Sequence, residues 1–267
     1  VERVFVKLGG SVLTDKTAPE SINHALLHEV AGAIAAVLHQ RPSLQLLIGH
    51  GGGSFGHVWA AKYRTHEGIR NRQEWHGAVR VADAMGRLNR QVVAALLDAG
   101  VNALSVPPSA GALAHDRQLQ HWETVTIERM LASGLVPVVH GDVVLDTAQG
   151  AAIASTEMVF SYLAPPLRPQ RVVLLGEAGV FTADPRRDPQ AQPIPHITGE
   201  NIDTVLGYLG GSHGTDVTGG MATKVRDMWQ LVQTVPGLQI QLIGTEQSMI
   251  QHALLGQPVA NGTVIKR

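Results

Sequence analysis

His50-Gly51-Gly52-Gly53-Ser54-Phe55-Gly56-His57 follows, one residue on, a short apolar run, Leu44–Ile48, that reads as a buried strand. Three consecutive glycines let main-chain N–H groups approach a ligand with no Cβ in the way. A helix starting just after them aims its positive end at the same point. Strand, glycine turn and helix in that order hold phosphate. They also point to an open parallel sheet, where ligands gather at the C-terminal ends of the strands. His57, at the far edge, can be charged near neutral pH and can donate a hydrogen bond to a phosphate oxygen. It is a candidate for chemistry, although the chain has 13 histidines and a histidine serves as readily in structure. His50, on the strand side, reads as mainly structural.

Strand and helix patterns alternate on either side of this loop. Val4–Leu8 is a buried-type strand. Ile22–His39 carries Leu26, Leu27, Val30, Ile34, Val37 and Leu38 at helical spacing and stops before Pro42. Gln73–Ala99 reads as a long helix ending at Gly100. Its stripe of Trp75, Val79, Ala82, Met85, Gly86, Val92 and Val93 is core by default, and its first turns lie close enough to the glycine run to wall an apolar pocket. Strands follow at Ala103–Val106, Leu135–Val139, Val172–Leu175 and Leu238–Ile243. Helices are expected at Thr124–Ala132, Ser155–Leu163, Asn201–Leu209 and Gly220–Val235, with a hairpin over Val143–Ile153 turning at Gln149-Gly150. The β-α-β order predicts an α/β fold, an open αβα sandwich with a mostly parallel central sheet. Residues 1–267 are read as one domain. Its N-terminal lobe, about 1–165, would take the acceptor, and its C-terminal lobe, about 166–267, the nucleotide. Thr182–Pro195 is expected as a surface loop.

Composition narrows the function. The net charge is -1 and no basic block occurs, so nucleic acid is not an expected partner. No apolar run is long enough to cross a bilayer. The chain opens directly on a strand pattern, so neither a signal peptide nor a membrane partner is expected. With no cysteine there are no disulfides and no thiolate metal sites, which fits a cytoplasmic enzyme. No protein metal ligands are expected.

Three further clusters belong with the glycine run. Lys7-Leu8-Gly9-Gly10-Ser11 follows the first strand and sets an ammonium beside a second anion nest; alone it also fits a lysine before an ordinary turn. Asp216-Val217-Thr218-Gly219-Gly220-Met221-Ala222-Thr223-Lys224 reads as a glycine turn into a helix, with Lys224 one turn inside. It fits a phosphate contact and, equally, a capped helix with a solvated lysine. Gly176-Glu177-Ala178-Gly179 follows another strand and can meet a nucleotide base or ribose. Lys16, in the loop after the first nest, is a candidate mobile cation. Gly51–Gly56 also satisfies G-x-G-x-x-G, but a dinucleotide site wants an acid at the end of the next strand, and Glu67 and Glu74 lie in or beside a basic, loop-like stretch. No Walker A motif occurs.

Together these clusters resemble the amino acid kinase superfamily over nearly the whole chain. The motifs are Lys7–Ser11, Asp15-Lys16, His50–His57, Val139-His140-Gly141-Asp142 and Asp216–Lys224. The loop ending in Gly56-His57 is most similar to the isopentenyl phosphate kinases and their near relatives, the fosfomycin kinases. The resemblance implies ATP with Mg²⁺, a homodimer and isopentenyl phosphate as acceptor. It implies that Lys7, Gly9, Gly10 and Ser11 line the ATP phosphates, with Gly53, Gly176, Gly220 and Lys224 also on the nucleotide side. Gly52, His57 and Thr156 would touch the acceptor; His57, Lys16 and Lys7 would act in catalysis. The chain departs from the family at Ser155-Thr156-Glu157-Met158, where relatives often carry Ser-Gly-Asp-Asp. It departs again at Gly176-Glu177-Ala178-Gly179, where relatives commonly carry Asp-Val-Asp-Gly. A fosfomycin-type kinase, a kinase making an acyl phosphate, and a nucleotide sensor without turnover are the alternatives.

Overall fold

The computed structural model describes residues 1–15, 18–176, 178–210 and 220–267. The first strand, Arg3–Leu8, is the centre of an eight-stranded sheet. Val4, Phe5, Val6 and Leu8 are fully buried, so both faces of the strand are covered, as a continuous apolar run in a parallel sheet requires. From edge to edge the strands are His196–Ile197, Thr263–Lys266, Gln239–Ile243, Arg171–Leu175, Arg3–Leu8, Gln45–His50, Val136–His140 and Ala103–Ser105. Neighbours run parallel except Gln239–Ile243 against Thr263–Lys266. The strands on one side of Arg3–Leu8 all precede Gly141 in the chain and those on the other side all follow Gln170. The direction of building therefore reverses at the first strand, and a crevice opens there at the strands' C-terminal ends.

The pleat of the first strand feeds two apolar layers. Val4, Val6 and Leu8 face a core shared with Ile34, Val37, Leu88 and Leu254, from helices His24–Gln40, Arg72–Asp98 and Gln247–Leu255. Phe5 faces the other core, with Phe160, Leu163, Met228 and Leu231 from helices Thr156–Leu167 and Gly220–Thr234. The Phe5 and Phe160 rings lie 5.2 Å apart, tilted at 56°. These are the expected helix-sheet-helix layers. Among the described residues, no helix is long and apolar enough to cross a membrane.

The buried face of the long helix and the loop over Thr182–Pro195 differ from expectation, and the expected hairpin belongs to a larger sheet. The long helix runs Arg72–Asp98, with the Asn71 side chain accepting from Gln73 and Glu74 N–H at its start. Its buried face is Ala78, Val81, Met85, Leu88 and Val92, whereas Trp75, Val79 and Gly86 of the expected stripe are exposed. The helix serves two cores in succession: Ala78, Val81 and Met85 pack on Ile69, Val143 and Ala151, and Leu88 and Val92 pack on the main sheet. The hairpin Asp142–Asp146 with Gly150–Ala154 is half of a four-stranded sheet that also holds Leu113–His115 and Gln118–His121. The Asp146 carboxylate gathers that sheet by accepting from the N–H groups of Asp116, Arg117, Ala148 and Gln149. Finally, the segment Thr182–Pro195 is not wholly loop, since Pro193–Ile194 pairs with Val180–Phe181.

Candidate active site

The five inner parallel strands all give way to glycine: Gly9 after Leu8, Gly51 after His50, Gly141 after His140, Gly176 after Leu175 and Gly244 after Ile243. The first four glycines extend the ladder by one bond before the chain turns away. Gly9 N–H donates to Leu175 O at 3.1 Å, Gly51 to Leu8 O at 3.0 Å, Gly141 to His50 O at 3.0 Å and Gly176 to Ile243 O at 3.0 Å. The loops thus leave the sheet side by side.

The first two loops touch. A Cβ on Gly10 would stand 2.6 Å from the main-chain nitrogen of Gly53, and one on Gly51 would stand 3.1 Å from Gly10 N. Gly53 has φ +46°, and a Cβ there would lie 2.1 Å from Thr14 Oγ1. Only glycine allows this approach. Thr14, buried, clips the two loops: its hydroxyl donates to Gly10 O at 2.8 Å and accepts from Ser54 N–H at 2.9 Å.

The helix at this loop begins inside the glycine run rather than after it. It spans Gly53–Tyr63, with Gly52 at the N-cap position. The first N–H groups of a helix have no partner within it. Thr14 takes that of Ser54, and among the described residues none takes those of Gly52 and Gly53, so these remain for an anion. Gly53 is buried at the loop junction. His57, one turn further on, is exposed.

On the other side Lys7, in register with Gly49 and Leu174, pairs with Glu157 at the start of helix Thr156–Leu167. Their side chains are only 13% and 17% exposed, so the pair is largely shielded from water. Burial pushes the Glu157 carboxyl up; the charge and hydrogen bond of Lys7, joined by the charge of Lys224, bring it below the ordinary carboxylate range. Lys224 is thereby placed at the same cleft, on helix Gly220–Thr234. Asp227 lies one turn along that helix, and burial and then the Glu157 charge raise its pKa. Gly9 and Gly10 border the cleft from the first strand, Ser11 lies in the one-turn helix Gly10–Leu13, and Gly176, φ +101°, ends the neighbouring strand. Gly220, φ +65°, opens the Lys224 helix.

The Thr156 hydroxyl is engaged within the protein. Thr156 is buried, and its hydroxyl donates to His50 O at 2.6 Å, so its side chain braces the second loop; what it can offer an acceptor is its first-turn N–H. Lys16 and residues 216–219 lie outside the described residues. Glu157, Asp227 and Thr14 are cleft residues that the motifs did not single out. The signal at Glu157 was its place in the departure Ser155-Thr156-Glu157-Met158, an acid kept at the head of a helix.

This geometry pairs an ammonium–carboxylate centre with two touching glycine loops. Residues 2–241 match the model of the amino acid kinase family. The chain belongs to the amino acid kinase family. The isopentenyl phosphate kinase of Methanothermobacter thermautotrophicus is 35% identical over 265 residues, covering 96% of each chain. That of Haloferax volcanii is 42% identical over 233 residues, covering 85% of this chain and 88% of its own. Crystallographic isopentenyl phosphate kinase superposes with a TM-score of 0.83 at 32% identity, covering 99% of this chain and 100% of the other. This amino acid kinase therefore groups with the isopentenyl phosphate kinases over its whole described fold.

Proposed function

We propose that the chain transfers the γ-phosphoryl group of ATP to the phosphate of isopentenyl phosphate, releasing ADP and isopentenyl diphosphate. The observation that carries this is the contact between two glycine loops at neighbouring strand ends, with Lys7–Glu157 beside one and His57 beside the other. A donor and an acceptor phosphate lying in these loops are held for in-line transfer, and phosphoryl transfer depends chiefly on such positioning and on charge neutralisation. The acceptor oxygen of a phosphate monoester is already ionised near pH 7, so no general base is needed. His57 donates a hydrogen bond to the acceptor phosphate, beside the N–H of Gly52. Lys7 and Lys224 meet the donor phosphates, with Lys16 offsetting charge on the group in flight as the family resemblance implies.

Mg²⁺ suits this cleft as an ion held mostly by phosphate oxygens and water. Among the described residues no three acidic or histidine side chains form a cage, while Glu157 and Asp227 repel each other as two carboxylates that a nearby cation relieves. Mg²⁺ bound beside Glu157 and Asp227 would supply neutralisation of donor phosphate charge. The alkenyl tail lies toward the apolar group of Ile69, Ala78, Val81 and Met85, since Met85 Sδ sits 2.9 Å from where a Cβ on Gly52 or Gly56 would be. The first part of the chain, to about residue 165, takes the acceptor and the remainder the nucleotide. The enzyme is a cytoplasmic homodimer in this reading.

The test is ADP release from Mg·ATP with a panel of isopentenyl phosphate, dimethylallyl phosphate, fosfomycin and small carboxylates. Turnover should be fastest with isopentenyl phosphate; ATP binding without ADP release on any acceptor contradicts an enzymatic role. His57→Ala should lower kcat by about a hundredfold or more and leave ATP affinity within about twofold. A parallel loss of ATP affinity would remove His57 from the acceptor side.

A further inference from the structure

His50 ends the second strand one residue before the triple glycine and is completely buried. Its Nδ1 lies 3.1 Å from the carbonyl oxygen of Gly51. Its Nε2 lies 3.0 Å from Oδ1 of Asn89, on the long helix, and Asn89 Nδ2 donates to Ser105 Oγ at 2.5 Å. One ring face stacks on His140, its register partner on the next strand, with centroids 5.2 Å apart. The neighbouring loop repeats the contact: His140 Nδ1 lies 3.0 Å from Gly141 O.

The protonation state follows from the partners. A carbonyl oxygen only accepts, so His50 Nδ1 carries the hydrogen. Burial, and then His140, drive the His50 pKa down to about 3, so the ring is neutral and Nε2 is an acceptor. With Nδ1 carrying the single hydrogen, Oδ1 of Asn89 cannot stay against Nε2, so the amide takes the half-turned orientation, NH₂ donating to Nε2 and oxygen accepting from the Ser105 hydroxyl, an exchange of two nearly isosteric atoms. Every polar atom of the His50 ring is then used, and its one hydrogen has a single target.

That target controls a donor. The Gly51 carbonyl and the Gly52 N–H belong to one planar trans peptide unit and point in opposite directions. With the oxygen held against the buried ring, the Gly52 N–H is turned away from the core, toward the open side of the loop. Two glycines impose no rotation of their own, so this peptide plane must be held from outside. We propose that His50 is a positioning residue whose Nδ1–H fixes the Gly51–Gly52 peptide plane and so aims the Gly52 N–H at the acceptor phosphate. The proposal rests on the acceptor site assigned above.

A matched pair of variants tests it. Asparagine at 50 sets an amide nitrogen near the place of Nδ1, and glutamine sets one near the place of Nε2. His50→Gln should raise KM for isopentenyl phosphate by about tenfold or more with KM for ATP within about twofold, and His50→Asn should keep the acceptor KM within about threefold of wild type. Equal effects of the two variants, or acceptor and ATP constants shifting together, overturn the proposal. Long-range proton–nitrogen NMR of histidine-labelled wild type, with the His50 signal found by its loss in His50→Asn, gives a readout independent of the glutamine variant's folding. The Nδ1–H tautomer is expected, and an Nε2–H tautomer overturns the proposal. Wild type that is active while the variants match each other sinks only this role; wild type inactive on isopentenyl phosphate sinks the acceptor assignment and this role with it.

Discussion

Glu157 and His50 show how single side chains carry this site. Glu157 is the partner that lets Lys7 stand largely buried at a strand end. Removing one member of such a pair leaves the other as an uncompensated charge, at a cost of about 3 kcal/mol. Glu157→Gln should therefore lower thermal stability and reduce kcat; in a thermal melt with and without ATP, nucleotide should restore part of the loss by supplying phosphate charge to Lys7. An unchanged melting temperature would mean that the ion pair is idle. His50 makes a pH-dependent contribution. Its folded pKa, about 3, lies below the value near 6.5 of an unfolded chain, so the unfolded state gains a proton first as pH falls. The stability from keeping His50 neutral is complete above about pH 6.5 and is lost progressively toward pH 3. Between pH 7 and pH 5, wild type should lose about 2 kcal/mol more than His50→Asn, read as unfolding free energy in denaturant titrations. An identical pH dependence of the two proteins would contradict a buried neutral ring.

At the level of elements, the glycine loops work because something holds them together. Thr14 is that clip, at the end of the one-turn helix Gly10–Leu13. Thr14→Val keeps the shape and deletes the hydroxyl, leaving Ser54 N–H unmet in a buried place. The cost should be about 1–3 kcal/mol, with a melting temperature lower by several degrees and a larger relative loss in kcat than in ATP affinity. Equal catalytic efficiency in the two proteins would show that loop apposition does not depend on it. The elements were legible in the sequence to unequal degrees. The inner strands are apolar runs closed by glycine, and both glycine loops stand out for that reason. The short strands Leu113–His115 and Gln118–His121 have no such run, because their sheet is held by the Asp146 carboxylate and a tight turn through Asp116 and Arg117. The long helix showed its length but not its buried face, since periodicity cannot reveal that it crosses from one core to another.

Across the whole molecule, sheet order turns separate motifs into one cleft. Lys7 and Glu157 are 150 positions apart in sequence, and Gly10 and Gly53 are brought into contact by the pairing of their strands. Glycine-rich patterns announce phosphate at each loop separately; the meeting of Lys7, Glu157 and the charge of Lys224 is a product of packing, which is why the motifs did not single out Glu157 or Asp227. In the proposed reaction two phosphates are held face to face at the ends of neighbouring strands. A crystal structure with isopentenyl phosphate and a non-hydrolysable ATP analogue tests it most directly. The acceptor phosphate should lie on the Gly52 N–H and the His57 imidazole, in line with a γ-phosphate beside Lys7 and Gly10. An acceptor bound away from the His50–His57 loop, or a γ-phosphate pointing away from it, would contradict the account.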